Sequence, residues 1–485
     1  MRPTTLALLT LVAACSSKNG GTSTDATTGS GGGDGGGSGS AAPLPFTKIG
    51  TGEYETEVLA NGKIYGYGAG DNLIAQGPYQ GLCIPARLID VGSADVTFID
   101  VQGGLHQSIA LDSTGHVWTW GESDSGLQGG GSDGWNGAYP YQILTDINGS
   151  AFDHVVGVEA LTATGMYDMA WKDDGTIWVW GDLAGGLAGD GSADGVVEQP
   201  QQVPLPAGVK IVKATGTFPI LALASDGTAW TWGDGETDVI GNGINKDPEN
   251  YTPTKVPNIP SNIIDIAVGY SSFEYVLTAD GDLWGWGYRG GYLGLGSGFV
   301  PTPEPIDLKS VLNLPGKVVV VAADMMTTHV ILDDGSLWGW GDDAMGLVGD
   351  GHELDFATTN PPYAWDFNAF DLPVWSPVHI LPTVSNFVTI FAHSPYDMYD
   401  YAETADGKLY SWGRNKTGTL GNGVYPLSAD GNLAGTSSQM AADYPNSWDV
   451  TTPTEVDPLT ATPMGVNSPY CVAHPMGSGC CSTCD

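Results

Sequence analysis

Cys471, Cys480, Cys481 and Cys484 stand together in "CVAHPMGSGCCSTCD", residues 471–485. Thiols this dense either pair as disulfides or hold a soft metal such as zinc, with His474 as a further ligand. The spacing lacks paired C-x-x-C knuckles, so all four are disulfide candidates and no metal is expected. Cys83 is left over as a buried free thiol. The sequence does not choose among the connectivities. The eight histidines are scattered, and none stands with a serine, cysteine or carboxylate at a spacing that reads as nucleophile and base. "GDDAMGLVGDGHELD" (341–355) is acidic enough to suggest calcium but lacks the alternating ligand order of a calcium-binding loop. No catalytic residue and no cofactor is nominated, and the chain reads as a non-enzyme. The alternative is a surface hydrolase or lyase with carboxylates gathered near a central channel.

The residues best suited to contact another molecule are aromatic. Trp135 and Tyr139 lie in "GSDGWNGAYPYQI" (131–143), and Tyr363, Trp365, Phe367 and Trp375 in "GHELDFATTNPPYAWDFNAFDLPVWSPV" (351–378). Tyr425 and Trp448 lie in "VYPLSADGNLAGTSSQMAADYPNSWDV" (424–450). Loops this long in a compact fold are usually functional, and aromatics are poor solvating residues. They either fold as a small local core against the rim or anchor a protein or glycan partner, and all eight are candidates for the second role.

What positions them is a repeat. "NGKIYGYG" (61–68), "TGHVWTWG" (114–121), "DGTIWVWG" (174–181), "DGTAWTWG" (226–233), "DGDLWGWG" (280–287), "DGSLWGWG" (334–341) and "DGKLYSWG" (406–413) are seven copies of one unit. Two aromatics separated by one residue share a strand face, and a smaller residue between them points to the other face, so stacked sheets can interlock. Short β-branched runs such as "VTFIDV" (96–101), "VKIVKA" (209–214), "IIDIAV" (263–268) and "KVVVVA" (317–322) open the units. A second apolar run leads to the Asp-Gly turn, the aromatic strand follows, and a glycine-rich loop precedes a fourth strand near a proline. Four antiparallel strands, seven units and no amphipathic helical stretch predict an all-β, seven-bladed β-propeller over residues 43–458. In such a meander the first and third connections lie on one face and the Asp-Gly turns on the other.

The pattern of aromatic, any residue, aromatic, Gly, followed by G-x-L-G-x-G, is complete in "YSWGRNKTGTLGNG" and partial in "GGLAGDG" (185–191) and "VIGNG" (239–243). It resembles the regulator of chromosome condensation repeat family, over roughly residues 46–457. The family's Gly-x-x-His turn survives once, from Gly103 to His106. The resemblance implies the propeller. It also implies, as the remotest reading, the guanine-nucleotide exchange of eukaryotic members, which an exported chain would have no GTPase to perform on.

Sixteen basic residues stand against 55 acidic ones, a formal charge of −39. A surface so acidic repels nucleic acid, which is excluded as a partner. "MRPTTLALLTLVAAC" has one positive charge, a short apolar run and small residues before Cys15, and reads as an export signal over residues 1–14. "LVAAC" resembles the bacterial lipobox, which implies diacylation of Cys15. Residues 15–42 are a Gly/Ser-rich tether with a reach of roughly 30 Å, and residues 459–485 are the cysteine-rich tail. The expectation is an exported bacterial lipoprotein, monomeric, on the outer membrane or cell surface, touching the membrane through its lipid only.

Overall fold

Each aromatic strand of the repeat is the third strand of a four-stranded antiparallel sheet, and there are seven such sheets. The computed structural model describes residues 46–456 except 53–54, 70–81, 94, 105–106, 122–125, 127, 132–136, 163–165, 194, 217–218, 234–239, 244–249, 270–272, 288–291, 296–301, 325–326, 344–345, 353–372, 393–398, 416–418 and 422–449. Blade 1 comprises Phe46–Thr51, Glu55–Ala60, Lys63–Ala69 and Leu82–Leu88, and blade 2 Phe98–Gly103, Gln107–Asp112, Val117–Gly121 and Gly137–Gln142. Blade 3 comprises Val155–Thr162, Met166–Lys172, Ile177–Asp182 and Val196–Gln202, and blade 4 Ile211–Gly216, Ile220–Ala224, Ala229–Trp232 and Thr254–Lys255. Blade 5 comprises Ile263–Gly269, Phe273–Thr278, Leu283–Gly287 and Thr302–Asp307, and blade 6 Val318–Ala323, Thr327–Leu332, Leu337–Asp342 and Pro373–Ile380. Blade 7 comprises Phe387–Phe391, Tyr399–Thr404, Leu409–Gly413 and Val450–Val456. The first strands touch in order, and that of blade 7 touches that of blade 1, closing the ring.

In blades 2, 3, 5, 6 and 7 the fourth strands begin earlier than the proline signals suggested. Pro140, Pro200, Pro303, Pro373 and Pro453 lie inside them, because an outermost strand has one unpaired edge where a missing N–H does no harm. One departure from an all-strand reading is a helical turn, Lys309–Leu312, between blades 5 and 6. It is too short to show a helical period in the sequence.

The core is divided into seven slabs, each between two blades. The second aromatic of every repeat, Tyr67, Trp120, Trp180, Trp232, Trp286, Trp340 or Trp412, is completely buried. Trp180, Trp232, Trp286, Trp340 and Trp412 reach into the glycine loop of the preceding blade. Trp232 Nε1 donates to the Leu187 carbonyl at 3.0 Å, Trp340 to Tyr292 at 2.9 Å and Trp412 to Leu347 at 2.8 Å. Gly129, Gly189, Gly241, Gly294 and Gly349 follow in these loops with φ between 63° and 80°. A Cβ there would fall 2.5 to 3.5 Å from the next blade's tryptophan. Both the left-handed backbone and the close approach therefore demand glycine.

Room for the opposite face is made by the residue between the aromatics. Gly285 pairs with Tyr275 and Gly339 with His329, whereas Thr119, Val179 and Thr231 pair with the slimmer Ile109, Met169 and Leu221. A Cβ on Gly339 would come within 2.7 Å of His329. The first aromatics are anchored differently. Trp178, Trp230 and Trp338 donate to the hydroxyls of Thr176, Thr228 and Ser336, which donate in turn to the turn aspartates Asp174, Asp226 and Asp334. The turn glycines stitch blades together on this side, their carbonyls accepting the first N–H of the next blade: Gly62 from Phe98 at 2.9 Å, Gly175 from Ile211 at 2.9 Å and Gly335 from Phe387 at 3.0 Å.

Because Trp340 fills the slab between blades 5 and 6, Trp340→Ala should cost about 3–5 kcal/mol. The half-buried Trp284, measured in the same urea unfolding experiment, should cost less than half as much on truncation. Equal losses would contradict the interlocking role of the second aromatic.

Candidate functional site

The face bearing the first and third connections, the loop face, receives the ends of the third strands and the beginnings of the fourth. Of the predicted contact residues, Tyr139 lies in the fourth strand of blade 2 and is 57% exposed. Trp375 belongs to the fourth strand of blade 6, which starts at Pro373, so it stands on a strand rather than in the insertion that the sequence suggested. Trp135, Tyr363, Trp365, Phe367, Tyr425 and Trp448 lie outside the described residues, as do Cys15, His106, Cys471, Cys480, Cys481 and Cys484. Cys83 is in the fourth strand of blade 1, its backbone paired with Gly68. Among the described residues, no group of three or more His, Cys, Asp or Glu side chains could hold a metal, and no helix is long and apolar enough to cross a membrane.

Beneath the loop face lies a layer of buried polar groups joining neighbouring second strands. Ser108 of blade 2 donates to Glu57 of blade 1 at 2.6 Å, and Gln107 of blade 2 donates to Asp168 of blade 3 at 2.9 Å. Thr328 of blade 6 donates to the Tyr275 hydroxyl of blade 5 at 3.0 Å. His329 of blade 6 sets Nδ1 3.1 Å from Asp400 of blade 7, while its Nε2 lies 3.1 Å from the Val348 carbonyl, and both side chains are fully buried. A carbonyl can only accept, so Nε2 carries a hydrogen, and the contact on the other nitrogen requires a second proton on the ring or on the carboxyl.

Burial dominates the electrostatics of this layer. It pushes Glu57 up to about 8 and Asp168 up to about 7, against the lowering effect of their hydrogen bonds. Asp324 is also pushed up to about 7, by burial and then by the charge of Asp400. Burial opposes the charged imidazole of His329, but Asp400 and Asp324 outweigh it and raise its pKa. These groups serve adhesion between blades.

Around the axis, charges on the first strands are matched across seams. Lys48 pairs with Asp100, Lys213 with Asp265, and Gln102 donates to Glu159 at 3.3 Å. The buried layer escaped the sequence reading because its partners are far apart in the chain. His329 and Asp400 come from different repeats. The available signal was a charged or polar residue inside a second strand, as in "ETEV", "YDMA", "FEYV" and "YDYA", where an ordinary half-buried strand would carry aliphatics.

These features define a closed seven-bladed propeller whose blades interlock through a tryptophan and a glycine loop. Residues 226–272, which run from one Asp-Gly turn through the first strand of the next blade, match the model of the regulator of chromosome condensation (RCC1) repeat. The chain is similar to the human E3 ubiquitin-protein ligase HERC2, 27% identical over 317 residues, covering 63% of this chain but 6% of the ligase. It is similar to the ultraviolet-B receptor UVR8 of Arabidopsis thaliana, 28% identical over 331 residues, covering 67% of this chain and 66% of the receptor. Prp20p from Saccharomyces cerevisiae shares the fold at a TM-score of 0.59 and 20% identity, covering 86% of each chain. Human WBSCR16 does so at 0.59 and 17%, covering 73% of this chain and 85% of the other. The chain thus contains a match to the RCC1 repeat and is similar to RCC1-like repeat proteins.

The folded state keeps the Glu57 and Asp168 protons over an interval in which the unfolded chain has lost them. Stability should therefore be greatest below about pH 4.5, the usual glutamate value, as far as Glu57 is concerned, and fall as pH rises toward 8. One group contributes a slope of roughly 1.4 kcal/mol per pH unit. Glu57→Gln keeps an acceptor for Ser108 and should flatten that slope by about one proton in urea unfolding at pH 5, 6 and 7. An unchanged slope would mean that Glu57 is ionised in the fold.

Proposed function

We propose that the chain is a non-enzymatic binding module, exported as a bacterial lipoprotein, anchored through Cys15 on the outer membrane or cell surface, and recognising a protein or glycan with its loop face. The observation that carries this reading is where the chain enters. Phe46 pairs with Ala60 beside the turn glycine Gly62, so the segment that follows the tether joins the propeller at the turn face. With Phe46 at the turn face, the third connections depart from the face opposite that entry, which suits a presented binding surface.

The carboxylates around the axis support binding over hydrolysis. Asp100 and Asp265 are paired with lysines, and Glu159 accepts a hydrogen bond from Gln102, whereas an acid and base pair needs carboxyls free to exchange protons with a substrate. Related structures favour a protein partner. Prp20 is described bound to Kap60, and Prp20p with binding properties to Gsp1p and histones. Those partners belong to that protein. The charge of −39 argues against nucleic acid here.

Two experiments test the reading separately. Cys15→Ala should release the protein from the membrane fraction, and unchanged detergent partitioning would remove the anchor. Replacing residues 353–372 with a short Gly-Ser loop spares the pairing of Pro373 with Asp342 and should leave the thermal midpoint unchanged, since loop closure entropy varies slowly with length. Affinity capture from cell-envelope extract should then lose partners that the intact protein retains. Equal capture by the folded variant would move the binding surface away from this connection.

A further inference from the structure

Two positions recur at the seams between second strands. One lies opposite the small middle residue of an aromatic strand, the other opposite the second aromatic of the following blade, and they meet as Glu57 with Ser108, Tyr275 with Thr328 and His329 with Asp400. Between blades 3 and 4 the same positions hold Met169 and Ile220, and between blades 4 and 5 Leu221 and Glu274. Only between blades 6 and 7 is a histidine set against a carboxyl.

The root of the third connection of blade 6 lies across that same seam. Gly351 N donates to the Thr451 carbonyl of blade 7 at 2.8 Å, the Leu347 carbonyl accepts from Trp412, and a Cβ on Gly346 would strike the Thr451 backbone. Val348 is held from both sides. Its N–H donates to Asp343 at 3.1 Å, and its carbonyl lies 3.1 Å from His329 Nε2. The imidazole is wedged between Gly339, where there is no room for a Cβ, and the Trp412 ring at 5.2 Å. The root of blade 3 is built alike, with Gly191 N on the Tyr251 carbonyl at 3.0 Å and the Leu187 carbonyl on Trp232. Beneath it are only Met169 and Ile220.

Two hydrogens serve the His329 joint, one on Nε2 and one between Nδ1 and Asp400. The other titratable group facing the ring is Asp324, which accepts the N–H and the hydroxyl of Thr327 at 2.8 and 2.9 Å. Asp343 stands behind Val348, with Asp342, Asp350 and His352 as its charged neighbours. When the hydrogen between Nδ1 and Asp400 leaves, one remains for two acceptors. A buried carboxylate holds it more strongly than a neutral carbonyl does, so the ring keeps Asp400 and turns a lone pair toward Val348. The Val348 carbonyl is then buried without a donor.

The surrounding charges set the direction. Burial lowers the pKa of His329, but Asp400 and Asp324 outweigh it and raise it, while burial first and neighbouring carboxylates second hold Asp324 and Asp343 up at about 7. Each value stands above that of the unfolded chain. Their contribution is complete below about pH 4 for the carboxyls and about pH 6.5 for the imidazole, and is lost as pH rises through the folded values.

We propose that the His329–Asp400 joint is a proton-operated latch, which grips residues 346–351 between blades 6 and 7 in mildly acidic surroundings and releases them above neutral pH while the ring stays closed. Binding by the loop face would follow pH in turn, but the latch needs no partner and stands or falls without one.

Amide exchange in the intact protein reads the latch directly. After correction for the intrinsic pH dependence of exchange, Val348, Gly349 and Gly351 should lose at least tenfold protection between pH 5.5 and pH 8.5, whereas Gly189 and Gly191 of the blade 3 root should change less than threefold. His329→Gln keeps a donor for Val348 that no pH removes, and should bring both roots to the same shallow dependence. Asp343→Asn should leave the loss in place. If His329→Gln does not fold, ring-nitrogen NMR of the unaltered protein decides: Nε2 of the buried histidine should give up its hydrogen over the interval in which protection falls. Parallel exchange at the two roots, a loss that survives His329→Gln or disappears in Asp343→Asn, or an Nε2 that keeps its hydrogen throughout would overturn the proposal.

Discussion

The indole of Trp340 has no contact with solvent. Its ring lies against the glycine loop of blade 5, and its N–H ends on the Tyr292 carbonyl at 2.9 Å. That contact, made also by Trp232 and Trp412, joins neighbouring sheets into one body. A four-stranded sheet this small cannot bury both its faces. An aromatic side chain of about 150–250 Å² supplies most of the area for one slab, provided its polar atom is satisfied. The loop carbonyl satisfies it, and the glycine after that carbonyl lets the backbone come close enough. The aromatic strand and the G-x-G loop are therefore two halves of one joint, made by different repeats.

The joint between blades 7 and 1 is built otherwise. Blade 1 takes all its strands from residues 46–88 and blade 7 from 387–456, so no strand is exchanged across the closure. Tyr67 stands where the other blades have tryptophan, and its hydroxyl meets that of Tyr401 at 2.5 Å. Tyr399 reaches the Gly52 and Glu55 carbonyls, each at 2.9 Å, and meets Thr56 at 3.1 Å. On the turn face, a Cβ at Gly407 would have open space, where most turn glycines would meet the next blade. Closure therefore rests on tyrosine hydroxyls near the loop face. Burial raises the pKa of Tyr67 and Tyr401, so both stay neutral and able to donate.

The blades were legible in the sequence because their determinants are local. "DGSLWGWG" contains its own turn, its own aromatic pair and the glycine that the paired His329 requires. The fourth strands were harder to bound, since an edge strand tolerates proline and so lacks a clean start signal. The candidate site was legible only in part. Tyr139 is an exposed aromatic, as its loop-like surroundings suggested, but Trp375 is tied into a strand that also begins with a proline. The buried acids were invisible for a different reason. Their pairing partners sit 51 to 71 residues away, Ser108 for Glu57 and Asp400 for His329, and only ring geometry brings them together.

The two faces of the ring are consequently held by different chemistry. On the turn face, backbone carbonyls of glycines take backbone N–H groups, a contact indifferent to side-chain identity and to pH. Near the loop face, side chains do the joining, and several are acids kept neutral by burial or, at His329, a shared proton between blades. Side-chain joints can differ from seam to seam, and they do: Glu57 with Ser108, Tyr275 with Thr328, His329 with Asp400. The slab between blades 3 and 4 has the aliphatic Ile220 opposite Trp232, where other blades place a polar residue. Turn-face stitching at the six seams other than the closure holds neighbouring blades regardless of what lies opposite. The loop face is thereby free to vary, which is the condition under which one fold can carry long, dissimilar connections without losing its closure.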